Sequence, residues 1–301
     1  MRREGSKPSF FTFMVIPCKQ IVAVLEKKLK GQVLELKKKK KTIKLVIFLI
    51  GGTLEQLHFA KSKQAMAKRL GVKCEIIHLK TVPPFEKFAR LIKQTSHNPE
   101  TSGIVIQQPL PPQLSTESLF DFIDIHKEVE GHRKKTPFFP SLGMSVLMIC
   151  KYLYIHPKID EKLFIDMKKD IMYLKKIFKH KKIVIIGRGM TGGRAIGKTL
   201  TETKINFVST NSHTQDPHEY YKEADIIISA VGKKILTADV IKPGAVLIGV
   251  GMRKEGKTVK GDYDERDIKN VTSYHTPTPG GVDPISTLYL FKNLIDAVSM
   301  Q

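Results

Sequence analysis

Leu45-Val-Ile-Phe-Leu-Ile50 is an apolar run with no polar alternation, and it lies between two stretches of helical spacing. A strand with one wet face alternates. A strand apolar throughout has both faces covered, as in a parallel sheet packed between helices. Before it, Ile21, Val24, Leu25, Leu29, Val33 and Leu36 fall near one helical face over residues 19–36. The run from Lys37 to Lys41 closes that helix, where positive charge suits the C-terminal end of the dipole. After the strand, Gly51-Gly52 breaks the chain. Residues 54–70 then predict a helix carrying Phe59, Met66 and Leu70, stopped by Gly71. Residues 74–79 predict a strand, 85–95 a helix, and 103–107 a short strand ended by Pro109, Pro111 and Pro112. Such alternation calls for a parallel sheet with right-handed crossovers.

Residues 115–126 and 142–154 predict helices, with loop between; the second helix is a natural bridge between domains. Residues 155–181 are dense in lysine, with helical spacing of Leu163, Ile165, Met167, Ile171, Leu174 and Ile177. Lys182-Ile-Val-Ile-Ile186 starts a second α/β unit, with further strands expected at 205–209, 226–230 and 246–250. A proline- and glycine-rich segment, 276–284, precedes a final helix over 285–298. The expected fold is α/β in two domains, the second a Rossmann-like doubly wound sheet.

The 301 residues carry 51 Lys and Arg against 29 Asp and Glu, a formal charge of +22. That balance suits polyanionic partners or anionic small molecules. The lysines occur along most of the chain, however, and only Lys37 to Lys41 is dense, so the charge reads first as a solvated surface. No nucleic-acid-binding motif accompanies it. Cys18, Cys74 and Cys150 form no CxxC or Cys/His spacing, so no zinc site or disulfide framework is expected, and a reducing compartment fits. No apolar run approaches a membrane span. Residues 1–13 read as an extension, with a poor signal-peptide core and Met14 as an alternative start.

Gly187-Arg-Gly-Met-Thr-Gly192 matches G-x-G-x-x-G. The pattern alone is weak, but here it follows a strand and opens a helix, the context that a pyrophosphate site requires. An NAD site usually carries an acid at the end of the second strand to hold the ribose hydroxyls. Here that stretch reads Val208-Ser-Thr-Asn-Ser212, without one, while Arg188 lies inside the glycine turn. A guanidinium with nearby hydroxyls suits a 2′-phosphate, so NADP is favoured over NAD. In the first unit, Lys63 falls four residues after Phe59 on the same helical face, and Gln107 and Gln108 end a strand. A partly desolvated lysine at that crevice could work as acid or base. On spacing alone, one more solvated lysine is the better reading.

Four stretches together resemble the methylenetetrahydrofolate dehydrogenase/cyclohydrolase family. Gly51 to Lys63 resembles its catalytic helix. Ile104-Val-Ile-Gln-Gln-Pro-Leu-Pro111 resembles V-Q-L-P-L-P, and Gly187 to Gly193 resembles G-R-S-x-x-V-G. The segment from Thr276 to Pro284 resembles T-P-V-P-G-G-V-G-P, the most specific of the four. Weaker matches include Glu128-Val-Glu-Gly131 for D-V-D-G. The order of the motifs, over most of residues 17–300, carries the likeness.

The resemblance implies a catalytic folate-binding domain over 14–142 and an NADP-binding domain over 143–275, flanking a cleft. Residues 276–301 would supply a substrate loop and a helix returning to the first domain. Lys63 would be the general acid/base, tuned by Gln107. Phe59 and Glu130 would hold the pterin. Pro279, Gly280, Gly281, Val282 and Asp283 would form the substrate loop. Gly187, Arg188 and Gly189 would bind NADP, with Ser212 at the 2′-phosphate and Met252 lining the cofactor. No metal is implied, and the family is a cytoplasmic or organellar homodimer. The implied activity is oxidation of 5,10-methylenetetrahydrofolate with NADP, then hydrolysis to 10-formyltetrahydrofolate. Two other readings stand beside it: another two-domain NADP oxidoreductase, or a non-catalytic relative binding nucleotide or nucleic acid.

This chain departs from the family pattern at several of these positions. Phe59 replaces a tyrosine, both acids of D-V-D-G are glutamates, Gly189 replaces a serine, Gly249 an aspartate, and Asp283 a glycine. The lysine-rich stretch near 155–180 reads as an insertion.

Overall fold

The computed structural model describes residues 13–256 and 258–300. A short strand, β1 (Met14–Val15), leads into helix α1 (Cys18–Lys38). Ile21, Leu25, Leu29 and Val33 of α1 are buried, an apolar stripe one helical turn apart. β2 (Lys44–Ile50), α2 (Leu54–Leu70), β3 (Lys73–Leu79), α3 (Phe85–His97) and β4 (Gly103–Ile106) follow in alternation. They form a parallel three-stranded sheet in the order β3-β2-β4. The central strand explains its own sequence. Leu45 and Ile47 enter the core that holds α1, while Val46, Phe48 and Ile50 enter the opposite core, where Phe48 meets Phe88 of α3 edge to face. Helix α2 starts on a Thr53–Gln56 capping box and stops at left-handed Gly71.

The second unit begins with α4 (Ser141–Tyr154), α5 (Lys169–Phe178), β5 (Ile183–Ile186), α6 (Gly193–Glu202), β6 (Val208–Thr210) and α7 (Pro217–Glu223). It continues through β7 (Ile226–Ser229), β8 (Val246–Gly249), a hairpin of β9 (Arg253–Glu255) and β10 (Thr258–Lys260), α8 (Glu265–Ile268) and β11 (Tyr274–His275). The last element is α9 (Val282–Met300). The larger sheet runs β1-β11-β8-β7-β5-β6 with every pairing parallel. Its edge strand β1 thus comes from the start of the chain, and Phe13 stacks on His275 at 4.5 Å. Residues 1–12 of the expected extension lie outside the described residues, whereas Phe13 is packed on the second unit.

Helix α4 packs on α5, α6 and α9, and α9 packs on α1, α2 and α4. One apolar core therefore runs through both units. At Gly143 the α4 backbone approaches Thr199 of α6 so closely that a Cβ would overlap the threonine side chain.

Three expectations need correction. Residues 155–181 are not helical throughout: only a turn at Glu161–Leu163 and helix α5 are helical. The reason is a buried ammonium, since Lys151 Nζ draws in the carbonyls of Lys162 and Phe164 and pairs with Asp170. Carbonyls turned toward a charge cannot serve a helix ladder. Residues 115–126 hold only the short 3-10 segment Glu117–Phe122, whose Leu119 and Phe120 are pulled into the core behind β2. The strand expected at 205–209 starts later, at Val208, because the Ile205 amide still caps α6 through Leu200 O.

Candidate active site

A cavity of about 490 Å³ lies between the two units. It is walled by α2, the loops after β4, β7 and β8, the start of α6 and the first turns of α9. These are carboxyl ends of parallel strands, where open α/β sheets hold ligands.

Lys63 is half-buried on α2 and donates from Nζ to Gln107 Oε1 at 2.9 Å. Gln107 leaves β4 with its backbone amide on Phe48 O. Its Nε2 donates to Gln108 O at 2.9 Å, so its oxygen is the atom left to face the ammonium. Phe59, one turn earlier on α2, lines the same cavity. Gln56 donates to Pro109 O and ties that helix to the loop after β4.

The loop over residues 128–133 forms another wall. Glu128 is buried, and its carboxylate accepts from the amides of Glu130 and Arg133, both at 3.1 Å. Lys198 of α6 reaches across from the second unit and donates to Gly131 O at 2.7 Å and Arg133 O at 2.8 Å. Held this way, Glu130 and His132 both line the cavity. Burial pushes the Glu130 carboxyl up to about 7, with the Lys63 charge pulling the other way. Burial holds His132 down at about 4, helped by the positive charges of Lys198, Lys63 and Arg194. Asp283, at the start of α9, is also raised by burial and opposed by Lys63 and His58. The cavity thus gathers one ammonium and two carboxyl groups whose ionisation is costly.

The glycine turn forms the opposite wall. Gly187 has φ +100°, and a Cβ there would lie 2.6 Å from Ala230 O. A Cβ on Gly193 would overlap Gly187 O, so close helix–strand packing rests on Gly193. Gly189 faces open space, and Gly192 caps α6 with no side chain; the Arg194 amide donates to Gly189 O at 3.1 Å, which leaves the amides of Gly193 and Ala195 for an anion. Arg188 is exposed and donates to Ser209 O at 2.7 Å and Ser209 Oγ at 3.3 Å, in the middle of β6. This cradle fits a dinucleotide.

The structure brings Phe59, Lys63, Gln107, Glu130, Met252 and Asp283 into one cavity. Gly187 is buried beneath the turn, and Arg188 and Gly189 are exposed on its rim. The hydroxyl meeting Arg188 is that of Ser209; Ser212 is exposed in the following turn. Pro279 and Gly280 are exposed, Gly281 is buried close to Pro277 O, and Val282 lies in the core. Sequence reasoning passed over Gln56, His132 and Ser286, which also line the cavity. Only His132 carried a signal, two residues from Glu130 and next to a glycine. Among the described residues, no group of three or more His, Cys, Asp or Glu side chains is placed to hold a metal, and no helix is long and apolar enough to cross a membrane.

Fold and cavity together define a two-domain α/β protein with a dinucleotide cradle facing a lysine–glutamine pair. Residues 16–130 match the family model for the tetrahydrofolate dehydrogenase/cyclohydrolase catalytic domain, and residues 170–301 match that for its NAD(P)-binding domain. The chain belongs to the tetrahydrofolate dehydrogenase/cyclohydrolase family. It is 31% identical to the bifunctional protein FolD of Staphylococcus carnosus over 300 residues, covering 95% of this chain and 97% of that relative. The FolD proteins of Staphylococcus aureus are 32% identical over 297 residues, with the same coverage. The solved FolD structure from Campylobacter jejuni superposes with a TM-score of 0.82 at 24% identity, covering 96% of this chain and 99% of that one. That of a methylenetetrahydrofolate dehydrogenase from the silkworm, Bombyx mori, gives 0.80 at 21%, again with 96% and 99% coverage.

Proposed function

We propose that the protein oxidises 5,10-methylenetetrahydrofolate to the methenyl form with NADP and then hydrolyses that product to 10-formyltetrahydrofolate. The single observation that carries this reading is the Lys63–Gln107 hydrogen bond, at 2.9 Å, in a cavity that the glycine-turn helix also walls. Full-length likeness to relatives named bifunctional FolD supports it.

In this reading, NADP supplies the hydride acceptor. Phe59 offers an apolar face for the pterin ring to stack on. The two oxygens of Glu130, once ionised, accept from the ring's N–H edge. Lys63 moves a proton at Nζ during hydration of the methenyl carbon, and Gln107 Oε1 aims that ammonium. Gly187, Gly193 and the uncapped start of α6 take the pyrophosphate. Arg188 takes the 2′-phosphate, and the lack of an acid at the end of β6 removes the usual NAD ribose anchor. Helix α9 carries Asp283 and Ser286 into the substrate side. The working unit is a cytoplasmic homodimer.

Purified protein is incubated with 5,10-methylenetetrahydrofolate and NADP, and NADPH absorbance is followed. A steady rise, with 10-formyltetrahydrofolate as product, is expected. No turnover with either NADP or NAD would refute the reading.

A further inference from the structure

His132 lines the cavity without a role in the proposed chemistry, and the loop that carries it is held from both sides. Lys198 bonds the carbonyls of Gly131 and Arg133, the residues on either side of it. The buried Glu128 carboxylate holds the same loop from within through the amides of Glu130 and Arg133. The imidazole leans on Phe120 with ring centroids 5.0 Å apart. Its Nε2 lies 3.8 Å from Glu130 Oε2, and the two side chains are 17% and 14% exposed. At 3.8 Å the two groups stand just beyond direct hydrogen-bond reach, a gap that a small side-chain adjustment or one bridging water closes.

We propose that His132 is the proton partner of Glu130: when substrate donors draw Glu130 into its ionised form, the displaced proton passes from Glu130 Oε2 to His132 Nε2. The O–H bond breaks, the N–H bond forms, and the pair keeps one proton throughout. This rests on the folate reading of the cavity above.

The charges facing the pair set its balance. On its own loop lie Glu128 and Glu130; from α2 comes Lys63 and from α6 Arg194 and Lys198, while Asp283, in the first turn of α9, lines the same cavity and faces Lys63 and His58. With the site empty, the three cations and burial keep the imidazole neutral, and burial keeps Glu130 largely protonated below pH 7. Ionising Glu130 puts a negative charge beside the imidazole, and an opposite charge at such range raises a pKa by roughly one to three units. That lifts His132 from about 4 toward the pH at which Glu130 titrates. A pair that shares its proton can bind an N–H edge without releasing that proton to water, so affinity stays level where a lone buried glutamate would lose it.

The test is calorimetric titration with 5-formyltetrahydrofolate, a stable folate, in two buffers of different ionisation enthalpy, at pH 6. Glu130 alone would be about nine-tenths protonated there, given its value of about 7. His132→Phe keeps the stack on Phe120 but offers no nitrogen; His132→Gln keeps a polar group that cannot take a proton. Both variants should release close to one proton on binding, and the parent at most about half of that. Their affinity should fall nearly tenfold per pH unit below 7, while the parent's stays level. Melting temperature and NADP binding of the variants verify the fold. Equal proton release in parent and variants overturns the assignment of His132 while leaving the folate reading intact. Absence of folate binding in the parent overturns both.

Discussion

Replacing Lys63 with methionine removes a charge and a proton while keeping most of the length and packing of the side chain. Three consequences follow from its surroundings. First, the general acid/base is gone, which costs roughly a hundred- to ten-thousandfold in the hydrolytic step. Second, Gln107 is only 7% exposed, and its Oε1 loses the donor at 2.9 Å. A buried acceptor left without a partner costs about 1–3 kcal/mol of stability. Third, Lys63 is the positive charge that offsets burial at both Glu130 and Asp283. Without it both carboxyls rise further. A rise of about one unit at Glu130, from about 7 to about 8, takes its ionised fraction at pH 7 from a half to about a tenth. In the His132→Phe background, where Glu130 titrates without a proton partner, folate affinity at pH 7 should then drop about fivefold, and the pH below which binding weakens should move up by about one unit. The assay is hydrolysis of methenyltetrahydrofolate, read as loss of its absorbance, with KM measured from pH 6 to 9 and the melting temperature recorded. A folded Lys63→Met protein that hydrolyses the methenyl compound within about tenfold of the parent's rate, with no shift of the KM profile in the His132→Phe background, refutes the reasoning.

Arg188→Ala should weaken NADP roughly tenfold or more while leaving NAD nearly unchanged, since a charge-assisted phosphate contact is lost; equal losses in fluorescence titrations of both would contradict it. Lys151→Met leaves Asp170 buried without its cation, at a cost of about 3–5 kcal/mol, and should lower the melting temperature by roughly 10 °C. The double change Lys151→Met with Asp170→Leu should recover much of that, because the remaining charge is gone too. Phe13→Ala removes the stack on His275 and should cost about 2 kcal/mol in urea unfolding, given a half-buried ring; an unchanged midpoint would place Phe13 outside the core.

Much of the fold was legible because its signals are local. Six apolar residues at 45–50, set between helical stretches, read as a strand covered on both faces, and both faces are covered. The glycine turn announced itself because the φ of Gly187 and the packing of Gly193 leave no room for a side chain. The Gly71 stop of α2 is likewise written in a single position. Lys63 is different. Its spacing from Phe59 is visible, but whether it is one more solvated lysine depends on Gln107, 44 positions away, whose amide is turned toward it by the Gln108 carbonyl.

The features that escaped the sequence reading are those in which a distant group overrides a local pattern. Lysine and apolar spacing over 155–181 is helical in period, yet the buried Lys151 ammonium claims two carbonyls of that stretch and unwinds it. Strand β1 is two residues long and has no periodicity to read; only the exposed edge of β11 makes it a strand. Glu130 and His132 are ordinary polar residues in a loop until Glu128 from within and Lys198 from the other unit aim them into the cavity, where loss of water moves both their ionisations. Sequence by itself determined what depends on backbone sterics and on the repeat of apolar side chains, since both act between near neighbours. Tertiary structure alone decided which charges share a dry space, because desolvation and Coulomb energy depend on distance through space and not along the chain.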